Sequence, residues 1–192
     1  MTVLLLGLLI FLGVHSVRIV AAPWREAQIA RRGERRWKGL YALASLVGLV
    51  LVIYGYGLAR AQPVELWTPP AWAPHAAGLL TALAFVLVAA AYAPPSRIRT
   101  VVRHPMVAGV LVWAIAHLLA NGVLADLVLF GAFLIWAAAD FVSALGRGEA
   151  ATAGASAGML RGDIIALVAG LAAWALFALL LHGWLTGVRP FH

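Results

Sequence analysis

Long apolar runs, separated by short polar stretches, dominate the chain. Most of these runs have the roughly 17 to 25 residues that a helix needs to cross a bilayer core about 30 Å thick. They are continuous in Leu, Ala and Val, whereas transmembrane β-strands alternate over about ten residues. A helix satisfies its own backbone polar groups inside hydrocarbon, so the pattern predicts helices. We predict six spans, at about 2–20, 38–59, 72–92, 106–120, 124–145 and 164–187.

The predicted fold class is all-α, a polytopic helical membrane protein with about six transmembrane helices. Composition agrees, because a chain with 64% hydrophobic and 11% charged residues has too little polar surface to enclose itself as a soluble globule. We predict one transmembrane domain over residues 1–192, with membrane lipid as its surrounding partner. Its core is 1–145, a flexible linker rich in Ala, Gly and Ser covers 146–162, and a last transmembrane helix covers 164–187.

The basic side chains lie beside the apolar runs and fall mainly in alternate loops. The positive-inside rule therefore places both termini outside and the first, third and fifth loops in the cytoplasm. The net charge of +7 thus reports orientation, and we expect no nucleic-acid partner. Charges follow the first apolar run and do not precede it, so that run is expected to be a retained span. The basic residues of these loops are Arg25, Arg31, Arg32, Arg35, Arg36, Lys38, Arg97, Arg99, Arg103, Arg147 and Arg161.

Three further predictions concern polar and aromatic residues near the ends of the spans. Residues 22–38 are expected to form an amphipathic cytoplasmic helix, with Trp24 and Trp37 at the level of the headgroups. Tyr54 and Tyr56 are expected to belong to an interfacial aromatic belt. Asp126 stands at the start of the fifth span, where a carboxylate suits the helix dipole, so we interpret it as a capping residue.

Histidines are the candidates for metal or haem chemistry, since the chain has six of them and no cysteine. The lack of cysteine excludes iron–sulfur clusters and covalent c-type haem. His117 lies inside an apolar span, where an ionisable side chain is costly and indicates function. His104 precedes it by thirteen residues, about 220° around the helix axis. One helix cannot aim both imidazoles at one ligand, so His117 needs a partner from another helix.

His15 is the other histidine inside an apolar run, and Arg18 lies on the same side of that helix, three residues later. In one interpretation Arg18 reaches the cytoplasmic interface and His15 bonds a backbone carbonyl. In the other, both belong to a functional site.

Several ordered motifs resemble the NnrU family of bacterial membrane proteins over nearly all of the first 145 residues. The resemblance implies a link to denitrification and nitric-oxide metabolism. It also implies a bacterial inner membrane, in which the termini that the positive-inside rule places outside are periplasmic. The matching stretches are Gly13-Val14-His15-Ser16-Val17-Arg18, Trp37-Lys38-Gly39-Leu40-Tyr41, Tyr54-Gly55-Tyr56-Gly57, Arg103-His104-Pro105-Met106 with Gly109, and Ala116-His117-Leu118-Leu119-Ala120-Asn121-Gly122 leading to Asp126.

The NnrU family is in turn similar to the plant zeta-carotene isomerase, a membrane enzyme that uses b-type haem with histidine ligands. Carried over residue by residue, this similarity implies that His15 and His117 ligate the haem iron. A cysteine proposed as an alternative ligand in that enzyme corresponds to Ala114 here, so a switch to a thiolate ligand is impossible.

The residues themselves fit a b-type haem pocket with two histidine ligands, in which Arg18 and Arg103 hold the propionates. His15 lies about nine residues from Trp24 at the membrane interface, and His117 lies about thirteen residues from His104. At a rise of 1.5 Å per residue, the two histidines then differ in depth by roughly 6 Å along the membrane normal. A helix tilt of about 20° absorbs this difference. Without such a tilt, depth pairs His15 with His104 and His117 with His75. His104 is therefore also a candidate cofactor-binding residue.

These residues are compatible with three functions. A haem-binding sensor or electron-transfer protein would take a small hydrophobic or gaseous ligand, and a haem-dependent cis–trans isomerase would resemble the plant enzyme. Membrane methyltransferases of the isoprenylcysteine carboxyl type also contain the Arg-His-Pro-x-x-x-Gly pattern of residues 103–109. They add a paired-glutamate motif later in the chain, whereas Glu149 and Asp163 are the acidic residues after Asp140 here. This argues against methyl transfer.

Overall fold

The computed structural model of the protein describes residues 1–148 and 159–190. The regular elements of this part are helices, with one isolated β-bridge, so the predicted all-α class is confirmed. The helices are α1 (Thr2–Val20), α2 (Ala22–Arg32), α3 (Glu34–Arg60), α4 (Ala73–Tyr92), α5 (Arg97–Val102), α6 (Pro105–Ala120), α7 (Leu124–Gly146), α8 (Met159–Leu176) and α9 (His182–Thr186), and a π-helical segment, Phe177–Leu181, joins the last two.

In the part of the chain that the structure describes, five helical stretches are long and apolar enough to cross a membrane, which makes this a multi-pass membrane protein. They are α1, α3, α4, α7 and the continuous stretch Met159–Thr186. The predicted fourth span corresponds to α6, a shorter apolar helix of 16 residues. At 1.5 Å per residue α6 is about 24 Å long, somewhat less than the hydrocarbon core. Large apolar side chains such as Leu9, Leu79 and Ile135 are exposed on these helices, as contact with lipid requires.

The expected amphipathic helix at 22–38 is present but divided. Helix α2 has Pro23 in its first turn and ends at Arg32. The next residue, Gly33, has a φ of +83°, a conformation that glycine adopts at little cost. Residues 34–38 form the first turn of α3, where Lys38 pairs with Glu34 at 2.8 Å. The second span therefore begins four residues earlier as a helix than the apolar pattern predicts, because its first turn is polar.

The predicted linker at 146–162 coincides in part with helix. Residues 149–158 of this linker lie outside the described part of the chain. Helix α7 continues through Gly146 and α8 begins at Met159, so residues 159–162 are the first turn of α8. Met159 and Gly162 are buried, and the Asp163 carboxylate accepts a hydrogen bond from the backbone N–H of Ile98 at 3.1 Å. These contacts fix the start of the helix ahead of its apolar part.

The chain forms two compact units by its internal contacts. Unit one consists of Met1–Trp67 and Gly122–Asp140, and unit two of the described residues of Thr68–Asn121 and Phe141–His192. In unit one, α1 packs antiparallel to α3 through glycines that bring the two backbones together. Gly55 faces the backbone of Leu4, and Gly48 lies where a Cβ atom would be 2.7 Å from the backbone nitrogen of Phe11.

The proline-rich segment after α3 is tied to the start of α7 within unit one. The Leu66 N–H donates to the Gly122 carbonyl at 2.8 Å, and the Leu124 N–H donates to the Val64 carbonyl at 2.9 Å. These bonds flank the β-bridge between Glu65 and Val123.

In unit two, α4 packs against both α6 and α8. Gly109 of α6 lies where a Cβ atom would be 2.9 Å from the Ala84 carbonyl oxygen, and Gly170 of α8 lies against the backbone of Val86. The Trp174 indole N–H donates to Thr81 Oγ1 at 3.1 Å, which satisfies both polar groups inside apolar helices.

Replacing Gly55 tests the packing of α1 on α3. A Cβ atom at this position collides with the Leu4 backbone, which cannot rotate away, so Gly55→Ala should destabilise the protein by about 1–3 kcal/mol. Gly57 is the matched control, because a Cβ atom there meets nothing within 4 Å. Denaturation of the detergent-solubilised variants measures the difference. Equal stability of Gly55→Ala and Gly57→Ala would show that the helices do not approach this closely.

Candidate functional site

His15 is partly buried on α1 and makes a short hydrogen bond within its own helix. Its Nδ1 lies 2.6 Å from the Phe11 carbonyl oxygen, one turn earlier. A carbonyl only accepts, so Nδ1 carries the hydrogen and the lone pair of the neutral imidazole lies on Nε2. The bond to a backbone carbonyl is therefore present, as one of the two interpretations of the sequence expects. It also fixes the tautomer of the neutral ring, in which Nε2 is the nitrogen that can accept.

Aromatic side chains from three helices surround the His15 ring in unit one. The ring centroid of Phe11 is 4.3 Å away, that of Tyr41 on α3 is 5.2 Å away, and that of Trp136 on α7 is 5.9 Å away. The Trp136 ring stands almost perpendicular to the imidazole, at 88°. This aromatic surrounding makes the environment of the Nε2 lone pair largely apolar.

Two buried polar atoms in unit one have no hydrogen-bond partner among the described residues. They are Trp136 Nε1 and Ser45 Oγ. A buried donor without an acceptor costs about 1–3 kcal/mol, so such atoms are rare in native proteins and call for an explanation. The sequence analysis did not single out Trp136. No motif marks it, and its position beside His15 depends on how α7 packs.

Arg18 lies one turn after His15, in the last turn of α1, and its side chain is exposed. A cation at this end of a helix also complements the helix dipole.

His117 on α6 repeats the arrangement of His15. Its Nδ1 lies 2.8 Å from the Trp113 carbonyl oxygen, four residues earlier, so its Nε2 also carries the lone pair of the neutral ring. The Trp113 ring is 5.0 Å from the imidazole. The Asn121 side chain donates to the His117 carbonyl at 2.8 Å, which satisfies one of the last carbonyls of the helix.

His104 precedes α6 and has a buried nitrogen. Its Nε2 has no hydrogen-bond partner among the described residues. Its ring stands almost perpendicular to the Phe141 ring, and the two ring centroids are 6.2 Å apart. Pro105, the first residue of α6, is buried. His104 is thirteen residues from His117, about 20 Å along the helix, so these two imidazoles are too far apart to bind the same metal ion.

Arg103 stands in a strained turn between α5 and α6. It has φ +64° and is the one non-glycine residue of the described chain with a positive φ. The His104 N–H donates to the Val102 carbonyl at 2.7 Å, which closes a γ-turn of the rarer, positive-φ form around Arg103. The Arg103 side chain is exposed. Strain of this kind persists where the surrounding structure holds it, often at functional sites.

The other described histidines have different surroundings. His75 is exposed in the first turn of α4. His182 Nδ1 lies 2.7 Å from the Val188 carbonyl, near the end of the last helix. No group of three or more histidines, aspartates and glutamates in the described residues could hold a bare metal ion.

A second polar cluster in unit one joins Tyr56 of α3 to Asp126 of α7. Tyr56 is half-buried and donates a hydrogen bond to Asp126, whereas Tyr54 is 62% exposed. Asp126 lies in the first turn of α7 but is only 4% exposed, and its carboxylate accepts the Tyr56 hydroxyl. The Arg60 guanidinium lies 5.6 Å from the centre of the Tyr56 ring.

Comparison with known proteins identifies the family. A family model described as NnrU protein matches residues 3–190. The chain belongs to the NnrU family. No curated protein and no solved structure matches the chain significantly. The match covers nearly the whole of this NnrU protein, so the family extends beyond the first 145 residues to include α8 and α9.

Removing the Tyr56 hydroxyl tests the second cluster of this NnrU protein. Tyr56→Phe takes a donor away from the buried Asp126 carboxylate, which should destabilise the protein by about 1.5–3 kcal/mol. Tyr54→Phe removes an exposed hydroxyl and should change stability little. Thermal denaturation in detergent measures both variants. A Tyr56→Phe protein as stable as Tyr54→Phe would show that the carboxylate does not depend on this hydroxyl.

Proposed function

We propose that this NnrU-family protein binds one b-type haem through Nε2 of His15 and Nε2 of His117. The observation that carries the proposal is the shared geometry of the two histidines. Each donates its Nδ1–H to the carbonyl one turn earlier, at 2.6 Å and 2.8 Å. Histidines that ligate metals commonly donate their other ring nitrogen to a carbonyl or carboxylate, which fixes the tautomer and makes the ligand more basic.

The residues around these histidines fit the chemistry of the group. Haem needs axial ligands from side chains and an apolar surrounding for its ring, and it does not need the three or four donors of a bare ion site. Phe11, Tyr41 and Trp136 supply apolar contacts at His15, and Trp113 does so at His117. When bound, haem would supply an iron that changes oxidation state, and this iron would take a gas such as nitric oxide only after one of the two histidines dissociates. The protein's residues hold the ring, exclude water and set the basicity of the axial ligands.

Arg18 and Arg103 are proposed to hold the propionates. Both are exposed and lie at helix ends, where a cation can reach a carboxylate at the membrane surface. His104 is the rival ligand, because its buried Nε2 lacks a partner among the described residues.

A haem-binding role in nitric-oxide metabolism, within denitrification, is the function we propose for the protein. Its ligand would be a small gaseous or hydrophobic molecule that reaches the site from the membrane. Support comes from membership of the NnrU family and from the paired histidines on apolar helices.

Substitution of the histidines tests the proposal. Two histidine ligands fill both axial positions, so the purified parent should show a low-spin ferric spectrum. His15→Ala and His117→Ala should each lose haem or turn it high-spin, whereas His182→Ala, at a histidine bonded to the Val188 carbonyl, should keep the parent spectrum.

The rival ligand is tested in the same series. If His104→Ala abolishes the low-spin spectrum while His117→Ala preserves it, the second ligand is His104 and the proposed pair is wrong. If the stable parent protein is colourless after expression with sufficient haem, the haem proposal fails altogether.

We also propose that the protein lies in the bacterial inner membrane with both termini in the periplasm. The exposed Arg31, Arg32, Arg35 and Arg36 around the junction of α2 and α3 would then face the cytoplasm. A C-terminal alkaline phosphatase fusion should be active and a C-terminal green-fluorescent fusion dark. The reverse result would overturn this orientation.

A further inference from the structure

Trp136 is a tryptophan whose indole N–H is buried without an acceptor among the described residues. An indole N–H can only donate, so no alternative tautomer or rotation of a hydroxyl relieves the cost. The buried indole of Trp174 shows how the same problem is solved elsewhere in the chain, since it donates to Thr81 at 3.1 Å. Trp136 thus lacks the hydrogen-bond acceptor that a buried N–H group needs.

The position of Trp136 restricts where that acceptor lies. Its ring is perpendicular to His15 at 5.9 Å, in the same aromatic surrounding as Phe11 and Tyr41. A molecule bound beside His15 would be near enough to supply the missing acceptor. A ligand that engages both residues offers a metal ion or a hydrogen-bond donor to His15 Nε2 and an oxygen to Trp136 Nε1.

We propose that Trp136 donates its indole N–H to a propionate carboxylate of the haem bound by His15. This inference rests on the proposed haem site and adds a buried contact to it. A carboxylate that approaches an apolar surrounding needs a donor, and a hydrogen bond to a charged acceptor is stronger than one to a neutral acceptor. Haem combines a metal ion and oxygen acceptors in one molecule.

Trp136 and Arg18 then have different shares in holding the propionates. Arg18 is exposed, so water and salt screen its attraction to a carboxylate. The Trp136 nitrogen is buried, so its hydrogen bond has no competing water. We expect the neutral, buried indole to contribute more to haem affinity than the charged, exposed arginine.

The test compares haem with haem dimethyl ester, in which both propionate charges are removed, on the full-length protein in detergent. Trp136→Phe should weaken haem binding by about tenfold or more and weaken ester binding much less. Its ferric spectrum should stay low-spin, because His15 and His117 are unchanged. Its midpoint potential should fall, since the carboxylate keeps more of its negative charge near the iron.

Control variants separate this contact from general effects. Trp184→Phe makes the same chemical change at a side chain that is 80% exposed, and it should leave the affinity and the potential at the parent values. Arg18→Leu should weaken haem binding by no more than about fivefold.

A second replacement protects the test against misfolding. Benzothienylalanine in place of Trp136 keeps the two-ring shape but has sulfur where the indole has its N–H, and it should reproduce the loss of haem preference over the ester. If Trp136→Phe or this analogue weakens the binding of haem and of the ester equally, or weakens the binding of neither, Trp136 makes no hydrogen bond to a propionate and the inference is wrong. If the parent binds haem and the Trp136 variants bind it equally well, the Trp136 contact is wrong but the haem site is not. A colourless parent rejects the haem site and the contact together.

Discussion

The lack of water inside the hydrocarbon layer is the constraint on which the rest of this structure depends. Polar side chains on the spans must find partners within the protein, and several find them one turn back on their own helix. Ser16 donates to the Leu12 carbonyl at 2.7 Å, and His15 and His117 do the same through Nδ1. For a serine this bond completes the hydrogen bonding of the side chain. For a histidine it leaves a second nitrogen, Nε2, oriented and basic.

Close helix packing converts that local bond into a site in unit one. Gly55 and Gly48 let α1 approach α3 closely, and this approach brings Tyr41 to the ring of His15. Helix α7, which is distant from α1 in sequence, adds the ring of Trp136. The imidazole is therefore held by one hydrogen bond and by contacts with rings from three helices, which restrict its rotation without further polar contacts.

The two histidines of the proposed haem site both lie beside aromatic rings. His15 meets the rings of Phe11, Tyr41 and Trp136, and His117 meets the ring of Trp113 on its own helix. At the start of α6, the strained turn at Arg103 places His104 ahead of the helix and directs its ring toward Phe141. The Arg-His-Pro motif thus has a structural consequence of its own, a γ-turn followed by a buried proline at the first helical position.

The amino-acid sequence by itself determined the class of protein, the approximate spans and the histidines of the candidate site. Those features follow from the lengths of the apolar runs and from the cost of an imidazole in hydrocarbon, both of which are properties of single segments. Helix ends were less predictable, because Gly33 and the buried Met159 set them through backbone conformation and packing. The tertiary structure alone decided that Tyr56 turns inward to Asp126 and that Trp136 stands beside His15. Both depend on which face of a helix meets which neighbour, and in a span that is apolar all round the sequence does not mark that face.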